Sequence, residues 1–315
     1  MNKYEWLPTE SSPKMYPMNI YKGTLFLEDG STVYIPSSGI SNETWGHIGS
    51  THIQGKDAKA IPVKLEISWA SFMERKFYKG SWDLPVEKIK ELFNKGMINW
   101  RSGEKENYSY IITGCAPGGV VVVWMYGGDQ QVEIARFQAK ETEISMADYV
   151  PGNPTISRDA FFDISSSVPE AYENLKKKGI PYGIWDTYRE KYIWKPEIDI
   201  SNYKLEHVII EMFNGEMETL FGATLNDNQF KLRAVPRYFS FLFSNSNGEK
   251  YVFEVKYADE EEMFELFKNV DKTKPVEIIL KMNGDLSGRQ LIFKQENKEV
   301  FIKKIDLDNF WKYQE

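Results

Sequence analysis

A chain of 315 residues is longer than a single hydrophobic core usually supports, so its length predicts two domains. Its 39 basic and 46 acidic residues leave a net charge of −7, which argues against nucleic acid, a ligand bound largely through Lys and Arg on phosphates. The lone cysteine, Cys115, cannot form an intramolecular disulfide, and no apolar run approaches the ~20 residues that span a bilayer.

Aromatic residues make up 15% of the chain (19 Phe, 18 Tyr and 9 Trp). Such rings favour pleated, half-buried surfaces and also occur at carbohydrate and protein interfaces. The N-terminus, MNKYEWLPTESSPK, lacks the apolar core of a signal peptide, so the chain as written reads as soluble. A processed secreted protein re-started with Met would look the same.

In chain order, YKGTLFL and STVYIP flank Glu28-Asp29-Gly30, a tight-turn signal for a hairpin. KLEISW alternates Leu65, Ile67 and Trp69 with polar residues, and KFYKGSW reads as its antiparallel return. DLPVEKIKELFNKG predicts a helix with Asp83 as N-cap and Gly96 as C-cap, burying Val86, Ile89, Leu92 and Phe93. YSYIITG, VVVVWMY and QVEIARFQ close the first half as strands, and Gly127-Gly128 turns between the last two.

A turn-rich PGNPTISRD precedes SSSVPEAYENLKKKG, a predicted helix with Ser167 and Glu170 at capping-box spacing and Gly179 as its stop. IPYGIWDTYREKYIWKP then predicts a second helix that ends before Pro196 and carries Trp185, Tyr188 and Tyr192 on one face. The second half supplies HVIIEMF, RYFSFLF, KYVFEVKY, a helix over DEEEMFELFKN, and the strands VEIILKM, RQLIFKQ and EVFIKKI.

Residues 60–96 and 234–270 align without a gap and share seven identities, among them Glu91, Leu92 and Phe93 with Glu265, Leu266 and Phe267. Their apolar phasing also agrees: Leu65, Ile67 and Trp69 meet Phe239, Phe241 and Phe243. A one-residue slip would reverse every face, so this agreement predicts a tandem duplication.

Few motifs carry chemistry. GCAPGG (114–119) resembles a phosphate loop, but a β-run follows where a helix is needed, and Gly-Lys-Ser/Thr is absent. The expectation is a turn between strands. WGHIGSTHIQG (45–55) gathers Trp45, His47 and His52 in a glycine-rich loop, read as a structured loop, with ligand contact as the functional alternative. Two imidazoles lack the third ligand a metal needs, and no metal or cofactor is expected. MERKFY (73–78) reads as a charged hairpin turn, and neither paired carboxylates nor a GxSxG nucleophile is evident. Cys115 is expected to be buried and inert. Trp185 and Tyr188 could stack on sugar rings, although helix packing explains their spacing better.

YPMNIYKG, TWGHIG, IPVKLEISWASFMERKFYKGSWDLP and GCAPGGVVVVWMYG together resemble the bacterial domain-of-unknown-function family 2931, most strongly over residues 4–140. The resemblance brings no reaction and no catalytic residues. Many members are described as lipoproteins and some sit near secreted antibacterial effectors. It therefore implies a cell-envelope location, a lipid tether in the native precursor and an immunity-like inhibitory role. The N-terminal lipid-bearing cysteine of a lipoprotein is absent from this sequence, so an unlipidated, cytoplasmic member is the alternative.

The sequence thus predicts an α+β fold of two similar antiparallel β-rich domains (1–150 and 201–315), each with one helix on its sheet, joined by a helical connector (151–200). The leading functional expectation is a non-enzymatic protein-binding role with a basic partner, using Trp45, His47, His52, Trp185 and Tyr188 as candidate contacts. A carbohydrate- or small-ligand-binding module is the alternative, and a hydrolase with an unfamiliar site ranks third.

Overall fold

Period-2 alternation of Val, Ile, Phe and Trp dominates the chain and produces paired sheets, as the computed structural model of residues 2–37, 39–52 and 57–314 describes. The chain divides into two units, 1–185 and 186–315. The α+β, β-rich class read from the sequence holds.

In chain order the first unit contains β1 (Tyr4–Glu5), β2 (Leu7–Ser11), β3 (Met18–Leu27), β4 (Thr32–Tyr34), β5 (Ala58–Lys59), β6 (Pro62–Ser71) and β7 (Lys76–Asp83). Helix α1 (Val86–Lys95) follows, then β8 (Met97–Ile98), β9 (Lys105–Glu106), β10 (Tyr110–Ala116), β11 (Val120–Gly127), β12 (Gln130–Gln138) and β13 (Lys140–Thr142). Four short helices complete the region: α2 (Met146–Tyr149), α3 (Arg158–Phe162), α4 (Pro169–Lys178) and α5 (Ile184–Thr187), the last at the division between units.

Two strand layers form this unit, ordered β2-β10-β11-β12 and β13-β7-β6-β3-β4. Leu65, Ile67 and Trp69 of β6, Val121 and Val123 of β11, and Ile89 and Phe93 of α1 share one buried core. The opposite side of β7 is also covered: the Phe77 ring lies 5.2 Å from Tyr149 and 5.1 Å from Phe162, on α2 and α3. That cover explains why Ser68 and Ala70, the polar-phase positions of β6, are buried too.

The second unit contains β14 (Lys191–Ile200), β15 (Tyr203–Met212), β16 (Met217–Phe221), α6 (Gly222–Asn226), β17 (Lys231–Ala234), β18 (Pro236–Asn245) and β19 (Lys250–Val255). Helix α7 (Glu260–Lys268) precedes β20 (Val276–Met282), β21 (Gln290–Gln295), β22 (Lys298–Phe301) and β23 (Phe310–Lys312). Its layers are ordered β17-β14-β20-β21-β22 and β16-β15-β18-β19-β23. Strand for strand, β14-β20-β21-β22 follows the order of β2-β10-β11-β12, and β23-β19-β18-β15-β16 that of β13-β7-β6-β3-β4. The 174-residue offset carries β6 onto β18 and the first residues of β7 and α1 onto those of β19 and α7.

Local details depart from the sequence reading. Each unit includes one parallel pair, β2 with β10 and β14 with β20, within otherwise antiparallel sheets. Asp83 does not cap α1; it ends β7, and Pro85 holds the N-cap position without a side-chain bond. Ser167 likewise stands outside α4, whose N-cap is Val168 with Pro169 in the first turn. The expected second connector helix shrinks to α5, and KYIWKPEIDI becomes β14, burying Tyr192, Trp194, Pro196 and Ile200 at period 2. Pro196 is tolerated there because β17 pairs only with Lys191–Trp194, so its missing N–H breaks no ladder bond on that side.

Candidate functional site

Three segments that look unrelated in sequence meet in the first unit. The β6–β7 hairpin turn contributes Glu74, the Pro117–Gly119 turn between β10 and β11 contributes the Gly118 N–H, and the Pro181–Gly183 stretch after α4 contributes Tyr182. Arg75 takes a positive φ of 56° in the hairpin turn, which lets β7 return directly beneath Glu74. One Glu74 oxygen, Oε1, accepts from the Tyr78 hydroxyl at 2.8 Å, the Tyr182 hydroxyl at 3.0 Å and the Gly118 N–H at 3.1 Å. The other, Oε2, accepts from the buried Ser71 hydroxyl at 2.7 Å.

Gly118 is required here twice over. Its φ is 77°, and a Cβ would stand 3.2 Å from Cδ1 of Tyr182, so the ring lies directly on the glycine. The Gln138 side chain steadies the same turn by donating to the Gly118 carbonyl at 2.6 Å. The resemblance of GCAPGG to a phosphate loop has a plain outcome: an N–H of the turn is directed at a carboxylate of the chain itself.

Burial, and then the neighbouring Glu74 charge, pushes the Tyr182 phenol up to about 12, and the more buried Tyr78 shifts further in the same direction. The cluster therefore joins a carboxylate with four donors to two phenols that keep their protons. Such a carboxylate has little free lone-pair capacity to act as a base, and the phenols are poor acids. What the arrangement does well is hold one ring still. Tyr182 is 61% exposed, yet its hydroxyl is anchored and its face is backed by main chain. Ion pairs surround the hairpin: Lys76 with Glu141 at 2.8 Å, Arg158 with Glu143 at 2.8 Å, and Arg75 with Asp159.

The residues singled out from sequence lie elsewhere. Trp45 is buried, 4.9 Å edge-to-face from Trp124, and fills the space above Gly114. His47 is half-buried, its backbone N–H bonded to Thr44, while His52 is exposed with its ring nitrogen 3.3 Å from the Thr51 carbonyl. Ile53 to Gly55 of that loop lie outside the described residues. The loop's evident work is to cover the edge of β2. Thr9 donates to the Ser50 carbonyl at 2.7 Å, Glu10 accepts from the Ser50 N–H and hydroxyl, and Ser11 accepts from the Gly46 N–H. Cys115 is fully buried, which pushes its thiol well up.

Trp185 is buried against Tyr16, and Tyr188 is half-buried, donating to Glu260 at 2.8 Å beside Phe213 and Phe264. Both rings pack against neighbouring rings and do not stand open as a stacking platform. Among the described residues no group of three His, Cys, Asp or Glu is placed to hold a metal ion. The sequence reading missed Tyr182, which has no periodic partner; its one local signal is its position between Pro181 and Gly183.

The family model for a protein of unknown function, DUF2931, matches residues 1–183. The chain belongs to the DUF2931 family. That match extends beyond the 4–140 stretch whose motifs resemble the family most strongly and ends two residues short of the first unit's boundary at Trp185. It takes in every member of the Glu74 cluster. No curated protein and no solved structure matches the chain.

Proposed function

We propose that this DUF2931 protein is a non-enzymatic binding protein that docks a protein partner on its first unit, with Tyr182 as the central anchor. The observation that carries the reading is the exposed Tyr182 ring, held by the Glu74 carboxylate and backed by Gly118. An aromatic side chain ordered before association loses little entropy on binding, and such residues dominate interface energies. The net charge of −7 favours a basic partner and a salt-sensitive association. A cell-envelope setting, a lipid tether in the precursor and an immunity-like role rest on the family resemblance and belong to the same proposal.

The test is an affinity pull-down of tagged protein from its own cells, at low and high salt, beside Tyr182→Ala. One partner in near-equal amount, lost in the variant and weakened by salt, is expected. Equal recovery by Tyr182→Ala would remove Tyr182 from the interface. A blank pull-down with binding on a glycan array would favour the carbohydrate reading, for which the open Tyr182 face is the supporting observation.

We also infer that the two units arose by tandem duplication. The shared strand order and the constant offset through β6, β7 and α1 support it. Aligned relatives should keep residues 60–96 in the same register with 234–270; a register that drifts between relatives would count against common descent.

A further inference from the structure

The second unit has a cavity of about 130 Å³ between α7 and the β21–β22 hairpin. Leu266 on α7 and Val270, just beyond its C-cap, form one wall, and Phe293 and Val300, paired across the hairpin, form the other. Gln295 and Lys298 stand where the hairpin turns. Gln295 is fully engaged, bonded to Asp271 and to the Lys274 carbonyl. The Lys298 side chain is exposed and has no ion pair or hydrogen bond among the described residues.

The first unit shows what such a position accommodates. There Leu92 and Gly96 stand in the places of Leu266 and Val270, and Met125 pairs with Val132 as Phe293 pairs with Val300. The chain between α1 and β10 is 14 residues long, residues 96–109, against seven between α7 and β20, residues 269–275. The extra length supplies Met97, which packs on the core; a Cβ added to Gly128, at the β11–β12 turn, would lie 2.8 Å from its sulfur. The second unit has the same walls, a shorter connection and an open cavity. An apolar cavity of about 150 Å³ is large enough to take benzene.

We propose that this cavity binds a compact apolar group of leucine or methionine size that bears a carboxylate, the apolar part lying between Leu266 and Phe293 and the anion on Lys298. Glu265 shares the rim with its carboxylate bonded to Asn269 at 3.1 Å, so a second negative charge on the ligand is disfavoured. The ligand is either a free hydrophobic acid or the C-terminal residue of a polypeptide.

Isotope-labelled full-length protein titrated with 4-methylpentanoate should show saturable shifts in the α7 and β21–β22 amides. The neutral 4-methylpentanamide should bind more weakly, by up to about fivefold, as loss of one exposed charge pair implies. A short peptide ending in free leucine that binds tighter than the acid identifies a polypeptide source, and weaker binding identifies the free acid. Lys298→Ala, a surface change, should erase the preference for acid over amide. Val300→Phe, checked for an unchanged circular dichroism spectrum, should fill the cavity and abolish binding. No saturable binding by any probe, or acid and amide binding equally in the parent protein, would overturn the proposal.

Discussion

The Tyr182 hydroxyl donates to the Glu74 carboxylate at 3.0 Å, across 108 positions of sequence. Burial first, and then the negative charge that loss of the phenol proton would set against that carboxylate, push Tyr182 up from 10.0 to about 12. Its folded value exceeds its unfolded one, so its contribution to stability is complete below about pH 10 and fades as pH rises towards 12. Ultraviolet titration of the protein minus Tyr182→Phe should show this phenol ionising near 12, and lower in a Glu74→Gln background, yet still above 10 because burial remains. A midpoint near 10 in the parent protein would refute the contact.

Glu74→Ala strands the Ser71 hydroxyl, the Tyr78 hydroxyl and the Gly118 N–H together. Loss of an acceptor shared by buried donors should cost about 2–4 kcal/mol in urea unfolding. Glu74→Gln keeps one acceptor oxygen for these donors and should cost less. Equal midpoints for Glu74→Ala and the parent would show that solvent replaces the carboxylate freely.

Gly114 lies beneath two indoles: a Cβ there would stand 2.5 Å from Trp124 and 2.8 Å from Trp45. Gly114→Ala should therefore destabilise by about 1–3 kcal/mol through overpacking, and Trp45→Ala by about 3–5 kcal/mol through cavity formation. Thermal or urea unfolding reads both. A neutral Trp45→Ala would mean that this ring is not the buried plug described here.

In the second unit Arg233, almost wholly buried, grips Glu218 through two nitrogens while stacking on Trp194. Burial raises the Glu218 carboxyl, but the Arg233 bonds and charge outweigh it and leave the carboxyl below its usual value. A depressed folded value gives stability that is present above about pH 4.5 and is lost as pH falls. Arg233→Met should cost about 3–5 kcal/mol at pH 7 and reduce the loss of stability between pH 5 and 3. An acid limb unchanged in the variant would assign the acid sensitivity to other carboxylates.

The helix limits show how local signals were overridden. Gly96 and Gly179 stop α1 and α4 as read, because a left-handed stop is a property of the residue itself. Asp83 and Ser167 fail as caps because β7 keeps its pairing through Asp83 and Pro169 opens α4 one residue late. Trp185, Tyr188 and Tyr192 satisfied a helical period, yet Tyr192 and Trp194 alternate as strongly for a strand. The parallel partner β20, 82 residues downstream in register, decided between them.

The sequence by itself determined most of the long strands and their inward faces, though neither β2 nor β14, together with the helices α1 and α7 and the register linking 60–96 to 234–270. Each of these follows from side-chain period and from glycine or turn chemistry within a few residues. Only the tertiary structure decided which motifs share a site. Trp45 and Trp185 became core, and Glu74, Gly118 and Tyr182 became neighbours, because hydrogen bonds between distant turns depend on where the sheets carry them and leave no period in the chain.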